Sequence, residues 1–335
     1  EEVAFWKERI QTLASDEFGG RKPLTEFETK TINYIADEFK KLGLQPANNG
    51  SYFQPVREIS TLARPDKNRI RVKAAKGSMD LNFPDDIVIW TLRGQKKINI
   101  PTTDFVFVGF GINAPEYGWN DYEGIDGKGK IVVAMVNDPG FYDKDLFRGR
   151  NMTYYGRWTY KLEEAQRQGA AGALVLHNKP AASYGWNVCS TSHVNHNIGL
   201  CSDDMNANEL GFMGWLHEDA GKKLFELSGL NFEEVTNAAK KPGFKSFTMK
   251  AKSKVTMNVT EINVGESYNV AAVLPGTDLK DEYIVCTAHW DHLGIGTKIN
   301  GDSIYNGASD NASGTAALML LAKKFQQLPF KPRRS

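Results

Sequence analysis

The stretch "CTAHWDHLG", Cys286 to Gly294, places His289 and His292 on either side of Asp291, directly after an apolar run. Imidazole is the commonest protein ligand for zinc-like ions. A carboxylate two residues on is placed to accept the ring's other N–H, which fixes the tautomer and strengthens the ligand. The pattern therefore makes His289 a candidate metal ligand and Asp291 the residue that orients it. Asp310 follows 21 positions after His289 in "YNGASDNASG", a Gly- and Ser-rich loop that leads into a helix. A carboxylate there has one oxygen for each of two metal ions about 3.5–4 Å apart. His-x-Asp alone is a weak pattern, because a His near a strand end is more often a hydrogen-bonded structural residue. His292 is read in that way.

Periodicity supplies the elements that must position these side chains. "EYIVCTAHW" reads as a buried strand with Cys286 as a small buried hydrophobe, so that His289 and Asp291 fall at the carboxyl end of a sheet, where α/β folds present ligands. "SGTAALMLLAKKFQQL" reads as a helix with Lys323 and Lys324 in its last turns and Pro329 beyond. Two amphipathic helices open the chain, in "VAFWKERIQTLAS" and "FETKTINYIADEFKKLGL", the second stopped by Gly43. "RIRVKA", "DIVIWTL", "DFVFVGFGI" and "KGKIVVAMVNDPG" read as strands. "YKLEEAQRQGA" then reads as a helix ending at Gly169, and "AAGALVLHN" as a further buried strand, which together make a small α/β unit.

With 335 residues, 41% hydrophobic and 24% charged, the chain can bury a core and is expected to divide into two domains. A formal net charge of +1 leaves no global basic field, so nucleic acid is not expected as a partner. No apolar run approaches the roughly 18–20 residues that span a bilayer, and "EEVAFWKERI" lacks the regions of a signal peptide. The three cysteines match no zinc knuckle, and pairing of Cys189 with Cys201 stays open. His193 and His196 near those cysteines suggest a second metal site, but the spacing fits no standard zinc set. Glu163 and Glu164 lie on a helix and are expected to face solvent.

"TAHWDHLG", followed by "SIYNGASDNASGTAALMLLAKKF", resembles the metal-binding segment of the dizinc aminopeptidase and glutamate-carboxypeptidase-like metallopeptidases, a family that also includes the transferrin receptor ectodomain. The resemblance implies that His289 and Asp310 are metal ligands, that Asp291 orients His289, and that the Asp310–Asn311 peptide bond is cis. The opening helices with their "GGR" turn are similar to the family's amino-terminal pair. "DYEGIDGKGKIVVAMVNDPGF" and "YGRWTYKLEEAQRQGAAGALVLHN" resemble a protease-associated domain. The fold class implied is α/β: a mixed-sheet zinc-peptidase domain, phosphorylase/hydrolase-like with helices on both faces, over 1–100 and 255–335. A β-rich α/β protease-associated domain would occupy 101–254.

The activity implied is that of an aminopeptidase acting on peptide substrates with two zinc ions, secreted or periplasmic after loss of a leader. Its remaining ligands, a Glu-Glu pair, an acidic residue and a final His, are expected from a segment after Ser335 or from a partner chain. The isolated chain is then expected to be inactive. A non-catalytic receptor-like or peptide-binding protein with the same fold is the alternative reading.

Overall fold

The computed structural model describes residues 1–335, the side chain of Thr297 excepted. The chain forms two compact units, Glu1–Glu58 with Gly265–Ser335, and Ile59–Val264. Residues 59–100 and 255–264, read from the sequence with the first domain, lie in the second unit. Their strands account for this, since Ile87–Trp90 pairs with Phe212–Leu216, and Lys97–Phe107 pairs with both Ile131–Met135 and Phe247–Val270.

The second unit is mixed α/β. Its large sheet runs in the order Asn197–Leu200, Phe53–Pro65, Phe247–Val270, Lys97–Phe107, Ile131–Met135, Gly172–Leu176, Phe212–Leu216, Ile87–Trp90. The four strands from Lys97–Phe107 to Phe212–Leu216 are parallel, and antiparallel strands flank them. Parallel strands covered on both faces need apolar side chains at every position rather than at alternate ones. "IVVAM" and "GALVL" meet that need and are buried throughout. Alternation then sorts the two faces. Ile131, Val133 and Met135 pack with Leu224 and Phe225 of the helix Glu218–Leu227, whereas Val132 and Ala134 pack with Leu162 and Ala165 of the helix Trp158–Arg167.

In the first unit the helix Glu26–Lys41 ends as the sequence indicates. Gly43 sits at φ +71, its N–H donates to Lys40 O at 3.0 Å, and the Leu44 N–H reaches Phe39 O at 3.1 Å. That pair of bonds satisfies carbonyls the helix end leaves free, and only glycine takes the left-handed angle without cost. The unit's core brings Leu13, Phe18, Ile35 and Phe39 against Ala312 and Met319. The strands Gly294–Ile299 and Asp302–Tyr305 form a hairpin across Asn300-Gly301, both at positive φ, the pair that a two-residue turn of this hand requires.

The expected strand "EYIVCTAHW" is a correction. Residues 283–293 take no regular structure, Tyr283, Ile284 and Val285 are 64%, 72% and 77% exposed, and Cys286 is exposed rather than buried. A strand needs a neighbour to complete its backbone ladder. Here Ile284 N–H donates to Ser335 O at 2.8 Å and Ser335 N–H to Glu282 O at 3.0 Å, and His292 N–H reaches Arg21 O at 3.2 Å, too few bonds for a ladder. No helix among the described residues is long and apolar enough to cross a membrane.

Candidate metal site

Asp310 lies in a wide turn, Ala308–Ala312, which feeds the helix Ser313–Gln326. The turn is held at both ends. Gly307 takes φ +62, and the Asn311 carboxamide oxygen accepts from Gly314 N–H at 3.1 Å, satisfying a donor at the helix start. The Asp310–Asn311 peptide bond is cis. The same Asn311 donates through Nδ2 to His289 O at 3.2 Å, and the Thr315 hydroxyl donates to that carbonyl at 3.2 Å. The backbone of His289 is thus fixed by the very element that carries Asp310.

The side chains meet. His289 Nε2 lies 3.1 Å from Asp310 Oδ1, and His289 Nδ1 lies 3.2 Å from Asp291 Oδ1 and 3.2 Å from Asp291 O. Both are reachable from solvent, with the His289 side chain 54% and the Asp310 side chain 73% exposed. An imidazole whose Nδ1–H is taken by oxygen keeps its Nε2 lone pair for a cation, and a carboxylate beside it is the donor chemistry that zinc accepts. These residues fit a metal as two donors. Among the described residues, no group of three or more His, Cys, Asp or Glu converges to hold an ion.

Sequence reasoning missed three residues around this pair. Arg21, from the "GGR" turn, is fully buried and donates to four carbonyls: Leu13 O at 2.5 Å, Trp290 O at 2.7 Å, Asn306 O at 2.7 Å and Gly307 O at 2.8 Å. Burial lowers its pKa, opposed by the charges of Asp291 and Asp310. Glu58 is pushed up to about 7, chiefly by burial and then by the negative charges of Glu28 and Asp291. Glu28 Oε1 and Glu58 Oε2 are both buried without a hydrogen-bond partner. Nothing in the local patterns around Glu28 and Glu58 signals this, whereas the two glycines before Arg21 signal a tight approach of backbone. Burial lowers the pKa of the His292 ring, and the backbone N–H of His292 donates to Arg21 O at 3.2 Å.

The other candidates resolve as structural groups of the second unit. His193 stacks on Trp90 with ring centroids 3.7 Å apart and 5° between planes, and its Nδ1 meets Asn197 Oδ1 at 2.7 Å. His196 Nε2 meets Glu261 Oε2 at 2.9 Å. Cys189 and Cys201 are both free and buried. Glu164 does not face solvent: it is 3% exposed, because Arg167 Nε at 2.7 Å and Gln168 Nε2 at 2.8 Å neutralise and bond its carboxylate. Its neighbour Glu163 is exposed as expected and accepts from the Tyr154 hydroxyl at 2.5 Å.

Burial lowers the His193 pKa from 6.5 to about 4. The unfolded chain then binds more protons than the folded one between those values, so stability is full above pH about 6.5 and is lost as pH falls toward 4. At about 1.4 kcal/mol per unit, the loss is about 3 kcal/mol by pH 4. Urea titrations of wild type and His193→Phe at pH 7 and pH 4.5 check this; an equal acid-induced fall in both proteins would remove His193 as its source.

No curated protein matches the chain. Among solved structures it is similar to an aminopeptidase from Aneurinibacillus sp. strain AM-1, at 20% identity and a TM-score of 0.42, covering 100% of this chain and 60% of that one. It is also similar to BSAP, a zinc aminopeptidase from Bacillus subtilis, at 17% identity and a TM-score of 0.40, again covering 100% of this chain and 60% of that one. The chain therefore spans 60% of the length of each. Residues 269–335, the segment that carries His289, Asp291 and Asp310, match the model of Peptidase family M28.

Proposed function

We propose that this chain carries part of the active site of a zinc-dependent aminopeptidase that removes amino-terminal residues from peptides. The observation that carries this reading is the approach of His289 Nε2 to Asp310 Oδ1, backed by Asp291, inside the segment that matches family M28. In this reading His289 and Asp310 would be the residues of this chain that hold zinc. Asp291 holds the proton of His289 at Nδ1 and so keeps Nε2 free to bind. Zinc, when bound, supplies Lewis-acid polarisation of a peptide carbonyl and a lowered pKa for water.

Two donors do not hold a catalytic zinc, which typically has three from protein. A downstream segment or partner chain would bring a Glu-Glu pair, an acidic residue and a His. The exposed Tyr283, Ile284 and Val285 offer that segment an apolar surface. The first member of the Glu-Glu pair would take the proton from the attacking water, a role worth about 10²–10⁴ in rate. Residues 101–254 are proposed as a protease-associated domain and the protein as secreted or periplasmic, both on the sequence resemblance alone.

The test is hydrolysis of aminoacyl-p-nitroanilides with added zinc. The 335-residue chain is expected to show no turnover above the zinc background, and the chain joined to its downstream segment is expected to be active. Robust turnover by the shorter chain, abolished by His289→Ala, would place the missing ligands within it. Zinc binding without hydrolysis in both forms would favour the receptor-like reading.

A further inference from the structure

We propose that Arg21 is the positioning residue of this site: its buried guanidinium clamps the His289 loop to the Asp310 loop and so sets the distance between the two donors. The inference rests on the reading of His289 and Asp310 as metal ligands. Three segments far apart in the sequence end on this one side chain. Leu13 O closes the first helix, Trp290 O lies between His289 and Asp291, and Asn306 O and Gly307 O lie at the entrance to the Asp310 turn. A planar guanidinium has five N–H donors spread over a fork, enough to reach carbonyls on three sides. An ammonium has three donors on one atom and cannot span them.

The charge is spent unusually. Arg21 is 0% exposed and its hydrogen bonds go to backbone carbonyls rather than to a carboxylate. Burying a cation is costly unless its bonds compensate. Space around it is also reserved. A Cβ on Gly307 would lie 2.7 Å from Arg21 Nη2 and 2.6 Å from Asp310 O, and a Cβ on Gly20 would lie 2.6 Å from Gly294 O. Both glycines are at positive φ, +62 and +70. The turn before Arg21 admits the backbone of Gly294, and the turn before Asp310 admits the guanidinium itself.

A plain structural staple would look similar, so the test separates positioning from stability. Cobalt(II) affinity and its visible absorption spectrum are measured on the protein with its downstream segment, for wild type, Arg21→Lys, His289→Ala and the core control Ile35→Ala. Arg21→Lys is expected to lose about 10- to 100-fold in metal affinity, the range for groups that orient ligands, with a changed spectrum. Ile35→Ala, at least as destabilised thermally, is expected to keep the wild-type affinity and spectrum. Equal affinity and an unchanged spectrum in Arg21→Lys would overturn the clamp and leave the metal reading standing, as would an equal loss in Ile35→Ala.

If wild type and His289→Ala bind cobalt alike, the metal reading fails. Hydrogen exchange then judges the clamp: faster exchange at both 289–294 and 306–312 in Arg21→Lys upholds it, and unchanged exchange overturns it. Should Arg21→Lys not fold, Gly307→Ala, which crowds Nη2 without removing the guanidinium, is expected to show the same affinity loss; wild-type affinity there overturns the clamp.

Discussion

Zinc affinity is expected to collapse when His289 is replaced by alanine, by more than the roughly 10- to 100-fold that follows loss of a group behind a ligand. The ring contributes one of two donors that converge, and its removal leaves Asp310 Oδ1 without its 3.1 Å neighbour. Stability without metal should change by less than about 0.5 kcal/mol, as for surface substitutions away from buried networks. The reason is that the ring is 54% exposed while the bonds from Asn311 and Thr315 go to the His289 carbonyl, which alanine keeps. Asp291→Asn is the graded comparison. It retains the shape but weakens the acceptor for Nδ1–H, and a loss of about 10- to 100-fold is expected. Competition against a chromophoric chelator measures both. Wild-type affinity in His289→Ala would remove the site from this position.

In the second unit the largest loss of stability is expected from Phe107→Ala. Phe107 is 0% exposed on the central strand Lys97–Phe107, with Phe225 edge-on at 5.1 Å, Phe244 at 5.8 Å and Phe247 tilted at 5.8 Å. Three other rings with their own fixed packing cannot all move in to fill the space it leaves, so a cavity term adds to the lost transfer energy, for about 3–5 kcal/mol in total. For a unit of this size that corresponds to a fall of roughly 6–20 °C in Tm. Calorimetry reads it, with Val188→Ala at a 40% exposed position as a control expected to shift little. A loss below about 1 kcal/mol would mean that the four-ring cluster relaxes around the gap.

The parts of this fold that were legible in the sequence are those whose cause is local. The helix Glu26–Lys41 carries its apolar stripe and its stop at Gly43 in contiguous residues, and the parallel strands Ile131–Met135 and Gly172–Leu176 announce two-sided burial by unbroken apolar runs. The pairing of His289 with Asp310 is implied by the family resemblance that "TAHWDHLG" and "SIYNGASDNASG" carry. What was not legible depends on partners. "EYIVCTAHW" has the composition of a core strand, yet a strand exists only with a neighbour, and residues 283–293 find little of one. Glu164 reads as a solvent-facing helix residue until Arg167 and Gln168 close over it. Arg21 stands 269 positions from Trp290, and no periodicity links them.

The core that joins Leu13, Phe18, Ile35 and Phe39 to Ala312 and Met319 has a consequence for biosynthesis. At ~5–20 residues per second, the ribosome needs roughly 15–55 s to pass from Phe39 to Ala312. Through that interval Leu13, Phe18, Ile35 and Phe39 lack the cover that Ala312 and Met319 give them, while the whole of Ile59–Val264 emerges and can fold as a unit. The geometry of His289 and Asp310 is therefore settled only after the helix Ser313–Gln326 has left the tunnel and met the helices made first.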